Sequence, residues 1–305
     1  MTGFSQSSSL IEEMKHTIDK PIPRRPYRSG DSLSIIGFGG ILCLGRTQKE
    51  VSDLVSEMYE KGINYFDVAP SYGNGEAEER LGPALEPYRS KVFLACKTMS
   101  RDGGGARTEL ERSLQRMRTD HFDLYQFHAI TSMKEVEEVF APGGALEPVV
   151  RARDNGQIRH IGFSAHSEEA ALSMLGRFSF DSILFPCNIV CATNGNFGPR
   201  VLEQARNQGV ARLALKAMAY SPWPARGDHP YPKCWYRPID DPALARLALR
   251  YTLGEDVTAA IAPGEESLFR IALEEATRYT PLSSEERQDL IRRISGIPPI
   301  FKTST

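Results

Sequence analysis

Residues 62–82 read GINYFDVAPSYGNGEAEERLG. The apolar run at 63–68 is typical of a short buried strand, and the Pro, Gly and Asn residues that follow it indicate a loop leading into a helix. A carboxylate, Asp67, and a phenol, Tyr72, lie where this strand ends. We expect chemistry, if the chain performs any, to be centred on this strand exit.

The same arrangement of apolar strand, turn and amphipathic helix recurs along the chain from Leu33 onward. Eight candidate strands are near-continuous apolar runs, as in strands buried on both faces: SLSIIGFGG, INYFDVA, KVFLACKT, FDLYQFHAI, IRHIGFSAH, SILFPCNIV, VARLALKA and VTAAIAPG. Helices are predicted near 48–61, 76–86, 105–118, 134–154, 168–177, 199–208, 242–253 and 267–278. Eight strand–helix units without a linker predict an α/β fold, a single-domain (β/α)₈ TIM barrel.

Two segments stand outside this repeat. Residues 1–30 are interpreted as an N-terminal extension, either lying on the barrel or forming a disordered tail, and the barrel is assigned to 31–305. Residues 217–241, between the seventh strand and its helix, form a long loop rich in Pro and aromatic residues. Strand–helix loops build the active-site face of such barrels, so this loop is expected to wall a pocket or cover a cofactor. A packed surface insertion is the alternative.

Composition excludes several function classes. The chain has 37 basic and 39 acidic side chains, so it lacks the positive charge that nucleic acid or an anionic membrane would require. No apolar run approaches the ~18 residues of a transmembrane helix, and the N-terminus lacks the apolar region of a secretory signal. The five scattered cysteines indicate reduced thiols, and hence the cytoplasm.

Polar residues at the ends of three consecutive predicted strands form a coherent set. Asp67, Lys97 and His128 follow the second, third and fourth strands, and barrel strand ends converge on one mouth. A phenol that donates a proton at neutral pH needs its pKa lowered by about 3 units, roughly 4 kcal/mol, which a neighbouring ammonium can supply. Tyr72 with Lys97 therefore suggests an acid catalyst for carbonyl reduction, although each residue alone is more often structural.

The motifs DVAPSYGNGEAEERLG, ACKT, LYQFHA and IRHIGFSAH occur in the order and approximate spacing of the aldo-keto reductase family, which this chain resembles from about residue 35 to 276. The resemblance implies a (β/α)₈ barrel that binds NAD(P)H at its mouth. It also implies that Tyr72 is the general acid, that Lys97 and Asp67 lower its pKa, and that His128 orients the substrate. The absence of a strand-linked GxGxxG motif agrees with a fold of this kind.

The resemblance also implies positions for the cofactor. Ser164 and Asn188 would contact the nicotinamide amide, although Ala165 replaces the family's Asn and Leu184 stands where a Gln is expected. After the seventh strand two registers compete. One puts Leu215 and Lys216 at the strand end with the lysine on the pyrophosphate, and the other puts Tyr220 under the nicotinamide. Strand length favours the first.

The last strand leads into the segment that would hold the adenosine end. In the family a Lys-Ser step and a later Arg clamp the 2′-phosphate of NADP. Here Gly264 and Glu265 replace the first two, and Arg270 and Glu274 follow. The family favours NADP(H), but a carboxylate accepts well from a ribose 2′-hydroxyl, which keeps NAD(H) open.

These inferences predict an NAD(P)H-dependent reductase of a small-molecule carbonyl, with no metal site and an oligomeric state left open. A cofactor-binding regulatory or sensor barrel is the first alternative, and a metal-dependent barrel hydrolase the second. The RDGGGART segment at 101–108 is interpreted as a flexible strand–helix connection, because it lacks the GK[ST] of a phosphate-binding loop.

Overall fold

A computed structural model describes residues 21–303. Within this range the strands are β1 (Arg24–Pro26), β2 (Ser32–Ser34), β3 (Ile36–Gly39), β4 (Tyr65–Asp67), β5 (Phe93–Thr98), β6 (Phe122–Ile130), β7 (Ile158–Ala165), β8 (Ser182–Pro186), β9 (Ala211–Leu215), β10 (Ala219–Pro222), β11 (Tyr236–Pro238) and β12 (Ala259–Ile261). The α-helices are α1 (Gln48–Glu60), α2 (Glu76–Leu85), α3 (Gly103–Met117), α4 (Met133–Phe140), α5 (Leu146–Asp154), α6 (Glu168–Arg177), α7 (Ile189–Asn194), α8 (Pro199–Asn207), α9 (Pro242–Gly254), α10 (Glu266–Thr277) and α11 (Ser284–Arg293).

Eight parallel strands close into a barrel. Their order is β12-β3-β4-β5-β6-β7-β8-β9, and β12 pairs with both β9 and β3 to complete the ring. Every residue of β4 and β5 is buried, as the continuous apolar runs predicted. The (β/α)₈ fold predicted from the sequence is confirmed.

Side chains fill the barrel from inside. The interior cluster contains Leu33, Tyr65, Phe93, Ala95, Leu124, Leu184, Leu213 and Ala259. A second, larger core lies between the barrel and the surrounding helices. Since the interior is packed, polar side chains that can meet a ligand collect at the mouth, the end formed by the carboxyl ends of the strands.

An antiparallel hairpin of β1 and β2 precedes the barrel. Between its strands, Tyr27 packs edge-on against the rings of Phe93 and His160. This hairpin crosses the boundary predicted at residue 30, and its Tyr27 packs against the interior cluster of the barrel. Residues 1–20 lie outside the described residues, so the extension predicted there stays a prediction.

One local prediction was wrong. The helix predicted over 134–154 is two helices, α4 and α5, because Pro142 and Gly143, with φ +75°, interrupt it. Within the long loop 217–241, β10 and β11 pair, and Trp223 Nε1 donates to the carbonyl of Cys234 at 2.7 Å. Among residues 21–303, no helix has the length and apolar character that crossing a bilayer demands.

Candidate active site

A buried ion pair lies at the centre of the barrel mouth. Asp67 ends β4 and Lys97 lies on the neighbouring strand β5; both side chains are buried and the ammonium bonds directly to Asp67 Oδ1. The Lys97 ammonium also donates to the carbonyl of Val68 at 3.0 Å. Burial disfavours the charge, but Asp67, with smaller contributions from Tyr72 and Cys96, more than offsets it, and the pKa of Lys97 is raised. Lys97 therefore stays charged.

Tyr72 receives the third hydrogen of this ammonium. Lys97 Nζ is 3.3 Å from the Tyr72 hydroxyl oxygen, and it also lies 5.0 Å from the centre of the ring. The net lowering of the Tyr72 pKa that the sequence predicted is wrong for this structure: burial raises that pKa, and Lys97 offsets only part of the rise. The phenol is therefore protonated at neutral pH.

His128 faces the same phenol. The rings of Tyr72 and His128 are 5.8 Å apart and nearly perpendicular, and Ser71 Oγ lies 3.4 Å from His128 Nδ1. Burial, followed by the charge of Lys97, lowers the pKa of His128 well below its ordinary value. The imidazole is therefore neutral, and when the Ser71 hydroxyl donates to Nδ1, Nε2–H remains as a donor.

The backbone that carries His128 is held in an unusual conformation. Ala129, the next residue, has φ +54°, which costs about 1–3 kcal/mol for a residue with a side chain. Its amide donates to Ser164 Oγ at 2.7 Å, and Arg101 donates to the carbonyl of His128 at 2.6 Å. Arg101 is fixed in turn by Glu135 at 2.9 Å. Arg101 is the first residue of the 101–108 segment, which was interpreted as a flexible connection. The structure shows that this residue positions His128.

Sequence reasoning also missed two partners of Asp67. Gln126 Nε2 donates to Asp67 Oδ2 at 3.3 Å, and the Tyr65 hydroxyl lies 3.5 Å from the same oxygen. Gln126 lies two residues before His128 on β6, within the quoted LYQFHA motif, so its side chain points to the same face of the strand. Strand periodicity was the signal that could have identified it.

Of the residues expected at the nicotinamide, Ser164 and Asn188 lie at strand ends. Ser164 is on β7 and is engaged by Ala129, while Asn188 caps α7 by accepting from the Cys191 amide at 2.8 Å. The Nδ2 donor of Asn188 is buried and unpaired. Leu184 packs in the barrel interior instead of at the rim.

Lys216 directly follows β9, so Leu215 ends the strand as the first register predicted. Lys216 has φ +66°, and its ammonium lies 5.2 Å from the ring of Trp235 and 5.1 Å from that of Tyr236. Burial lowers the pKa of this lysine to about 8. None of the described carboxylates pairs with it, so it is a cation at the mouth that can bind an anion.

The residues expected at the adenosine end lie just before α10 and within it. Glu265 precedes the helix and accepts from the Lys233 amide at 2.7 Å. Arg270 is held by Glu57 and Glu266, and Glu274, two turns into the helix, pairs with Arg246 at 2.8 Å and with Arg278. Gly264 packs against Ile41.

Comparison with known proteins gives a consistent result. The model of the Aldo/keto reductase family matches residues 36–233. Aldo-keto reductase YhdN of Bacillus subtilis (strain 168) is 35% identical over 144 residues, which are 43% of this chain and 42% of YhdN. Methylglyoxal reductase YeaE of Escherichia coli (strain K12) is 32% identical over 168 residues, 53% of this chain and 54% of YeaE.

A solved structure extends the similarity to most of the chain. Aldo-keto reductase AKR11C1 from Bacillus halodurans, in its holo form, superposes with a TM-score of 0.70 at 25% identity, covering 92% of this chain and 98% of that one. The chain spans about half the length of the curated relatives named above. In residues 21–303, no group of three or more His, Cys, Asp or Glu side chains is arranged to hold a metal ion.

Proposed function

Because this chain belongs to the aldo/keto reductase family, we propose that it reduces a small aldehyde or ketone to an alcohol with a nicotinamide dinucleotide. The observation that carries the proposal is the contact between a charged, buried Lys97 and the protonated Tyr72 hydroxyl, with a neutral His128 beside them. The bound nicotinamide would supply hydride to the carbonyl carbon. The remaining chemistry belongs to side chains of this protein.

Tyr72 is placed to protonate the carbonyl oxygen as negative charge develops on it. The acceptor is an alkoxide whose basicity is comparable to that of hydroxide, and water has a pKa of about 15.7. A phenol, with an ordinary pKa near 10, is a much stronger acid than an alcohol and transfers its proton to an alkoxide downhill. The raised pKa of Tyr72 keeps the phenol protonated before the reaction and is compatible with the role of acid.

Lys97 and Asp67 serve the phenolate that forms when Tyr72 loses its proton. The Lys97 ammonium is already 3.3 Å from the Tyr72 oxygen, so its charge stabilises the phenolate without rearrangement. Asp67 keeps Lys97 charged in a buried position. His128 supplies a neutral donor that orients the carbonyl oxygen toward the phenol.

The residues at the mouth suit a nicotinamide dinucleotide. The unpaired Nδ2 donor of Asn188 and the hydroxyl of Ser164 would bind the carboxamide, and the Lys216 ammonium would bind the pyrophosphate. An anion suits Lys216 because the described carboxylates leave it without an ion-pair partner. The family match supports this assignment of the site.

Steady-state oxidation of NADH and of NADPH, followed with a panel of simple aldehydes that includes methylglyoxal, tests the proposal. We expect turnover with at least one aldehyde, at a kcat of about 1 s⁻¹ or more, unchanged by a chelator. Cofactor binding without turnover on any carbonyl would favour the sensor barrel instead. Activity that disappears with the chelator would favour a metal-dependent hydrolase.

The role of Lys216 predicts a pH dependence of cofactor binding. Its pKa of about 8 means that the ammonium is charged below pH 8 and loses its proton above it. We expect NADH affinity to be constant from pH 6.5 to 7.5 and to fall above pH 8, by up to about tenfold per pH unit, as binding must then take up a proton. Titration calorimetry measures this profile.

Lys216→Met should weaken NADH binding by about tenfold or more and remove the fall above pH 8. Lys91→Met, which removes an exposed lysine, is the control and should keep the wild-type profile. A fall above pH 8 that persists in Lys216→Met would show that another group titrates.

We also place the protein in the cytoplasm. All five cysteines are free and buried, as expected of thiols in a reducing compartment.

A further inference from the structure

The start of α10 is crowded with carboxylates. Glu265 and Glu266 stand at the first positions of the helix, and Glu57 on α1 faces them. We call this set, together with Arg46 and Arg270, the α10 corner. The inference below rests on the proposed function, because it concerns the adenosine end of the same dinucleotide.

Arg270 is the residue that the family resemblance would assign to a 2′-phosphate. Its Nη1 and Nη2 donate to the two carboxylate oxygens of Glu57 at 2.8 and 2.9 Å, and its Nε donates to Glu266 at 2.7 Å. Carboxylates of the protein thus bind all three nitrogen atoms of the guanidinium group. A phosphate would have to displace Glu57 to gain a bidentate contact.

Arg46 is occupied in the same way. Its Nη2 bonds to Glu266 and its Nε donates to the carbonyl of Leu42 at 2.9 Å. Both guanidinium groups of the α10 corner are therefore paired within the protein, and an incoming phosphate would meet their carboxylate partners as well.

Gly264 stands where the family has a lysine, and the space for a side chain there is closed. A β-carbon added at Gly264 would lie 2.8 Å from the β-carbon of Ile41, well inside contact distance. At the next position Glu265 presents a carboxylate in place of a small hydroxyl. Its Oε1 accepts from the Lys233 amide at 2.7 Å, which fixes the carboxylate in place.

Lys233 is the cation of this region that no described carboxylate pairs with. Burial, and then the charge of Arg46, lower its pKa. It lies near Glu265 and Glu266, which partly offset this lowering. The three carboxylates of this region are balanced by Arg46, Arg270 and Lys233, so a doubly charged phosphate would meet no excess of positive charge.

We propose that this chain binds NADH in preference to NADPH, with the Glu265 carboxylate accepting a hydrogen bond from the ribose 2′-hydroxyl. A carboxylate accepts well from a hydroxyl and repels a phosphate, so the same residue provides selectivity in both directions. The preference for NADH comes from two features of this chain. Gly264 and Glu265 replace the Lys and Ser of the family, and Arg270 is paired with Glu57.

Dissociation constants for NADH and NADPH, measured by calorimetry on the full chain at pH 7, test the proposal. NADH is expected to bind at least about tenfold more tightly, a difference of about 1.4 kcal/mol. Equal affinities, or tighter binding of NADPH, would overturn the cofactor preference and leave carbonyl reduction standing. If neither dinucleotide bound, both the preference and the proposed function would fail.

Variants separate the contributions. Glu265→Ser should weaken NADH and strengthen NADPH binding, and Glu57→Gln, which releases Arg270, should strengthen NADPH binding alone. Glu60→Gln, an exposed change on the same helix, is the matched control and should leave both constants unchanged. Lys233→Met should keep the preference for NADH; a selective loss of NADPH binding in that variant would show a phosphate site at Lys233 and overturn the proposal.

Discussion

Lys97→Met is expected to abolish turnover and to lower the free energy of unfolding by about 3–5 kcal/mol, because it leaves the Asp67 carboxylate buried without its charged partner. The remaining contacts of Asp67, from Gln126 at 3.3 Å and Tyr65 at 3.5 Å, are long and neutral. These two contacts therefore stabilise the buried Asp67 carboxylate much less than the Lys97 ammonium does. Urea unfolding and steady-state kinetics measure the two effects.

A double variant, Asp67→Leu with Lys97→Met, distinguishes stability from catalysis. Removing both charges should recover most of the lost stability, since a buried ion pair is often replaceable by apolar side chains, while turnover stays absent. Lys49→Met is the surface control: Lys49 and Asp53 pair in solvent, with side chains 84% and 65% exposed, and no measurable loss is expected. A single variant as stable as the double one would show that Lys97 and Asp67 are not coupled.

The barrel was predictable because each strand is an apolar run buried on both faces, a pattern that few other folds require. Once the strands were assigned, Asp67, Lys97 and His128 had to converge on one mouth, since strand ends in a barrel do so irrespective of sequence separation. The structure places Tyr72 against Lys97 as that reasoning anticipated. Topology alone was sufficient for this part of the site.

The balance of energies around Tyr72 could not be predicted. Sequence shows which charge lies near a phenol, but not how much solvent the fold removes from it, and here desolvation outweighs the lysine. The positive φ of Ala129 and the Arg101 contact that holds the carbonyl of His128 are equally invisible, because they arise from packing between adjacent loops.

The α10 corner illustrates a second limit. The sequence placed Arg270 at the distance expected of a phosphate ligand, but Glu57, which occupies its guanidinium, lies 213 residues away on α1. An arginine's availability depends on partners that only the fold brings to it. The carboxylate at Glu265, in contrast, could be predicted from the sequence, because the replacement of Ser by Glu at this position is visible without knowledge of the fold.

Tyr72→Phe is the second variant with a large expected effect. Loss of a general acid lowers turnover by about 10²–10⁴-fold. The Phe ring would keep the packing against His128, and Lys97 would keep its bonds to Asp67 and to the Val68 carbonyl, so stability and cofactor affinity should remain close to those of the wild type. Tyr59→Phe, which removes a hydroxyl on α1 away from the mouth, is the control and should have wild-type kinetics.

The central claim is that this chain transfers hydride to a carbonyl carbon while Tyr72 protonates the oxygen. Its most direct test is the rate at which deuterium passes from 4,4-dideuterated NADH or NADPH, whichever binds more tightly, to the alcohol carbon in a single turnover, with wild type and Tyr72→Phe measured side by side. We expect deuterium in the product of the wild type, and a rate about 10²–10⁴-fold lower in Tyr72→Phe. Equal rates in the two proteins, or an alcohol without deuterium, would contradict the claim.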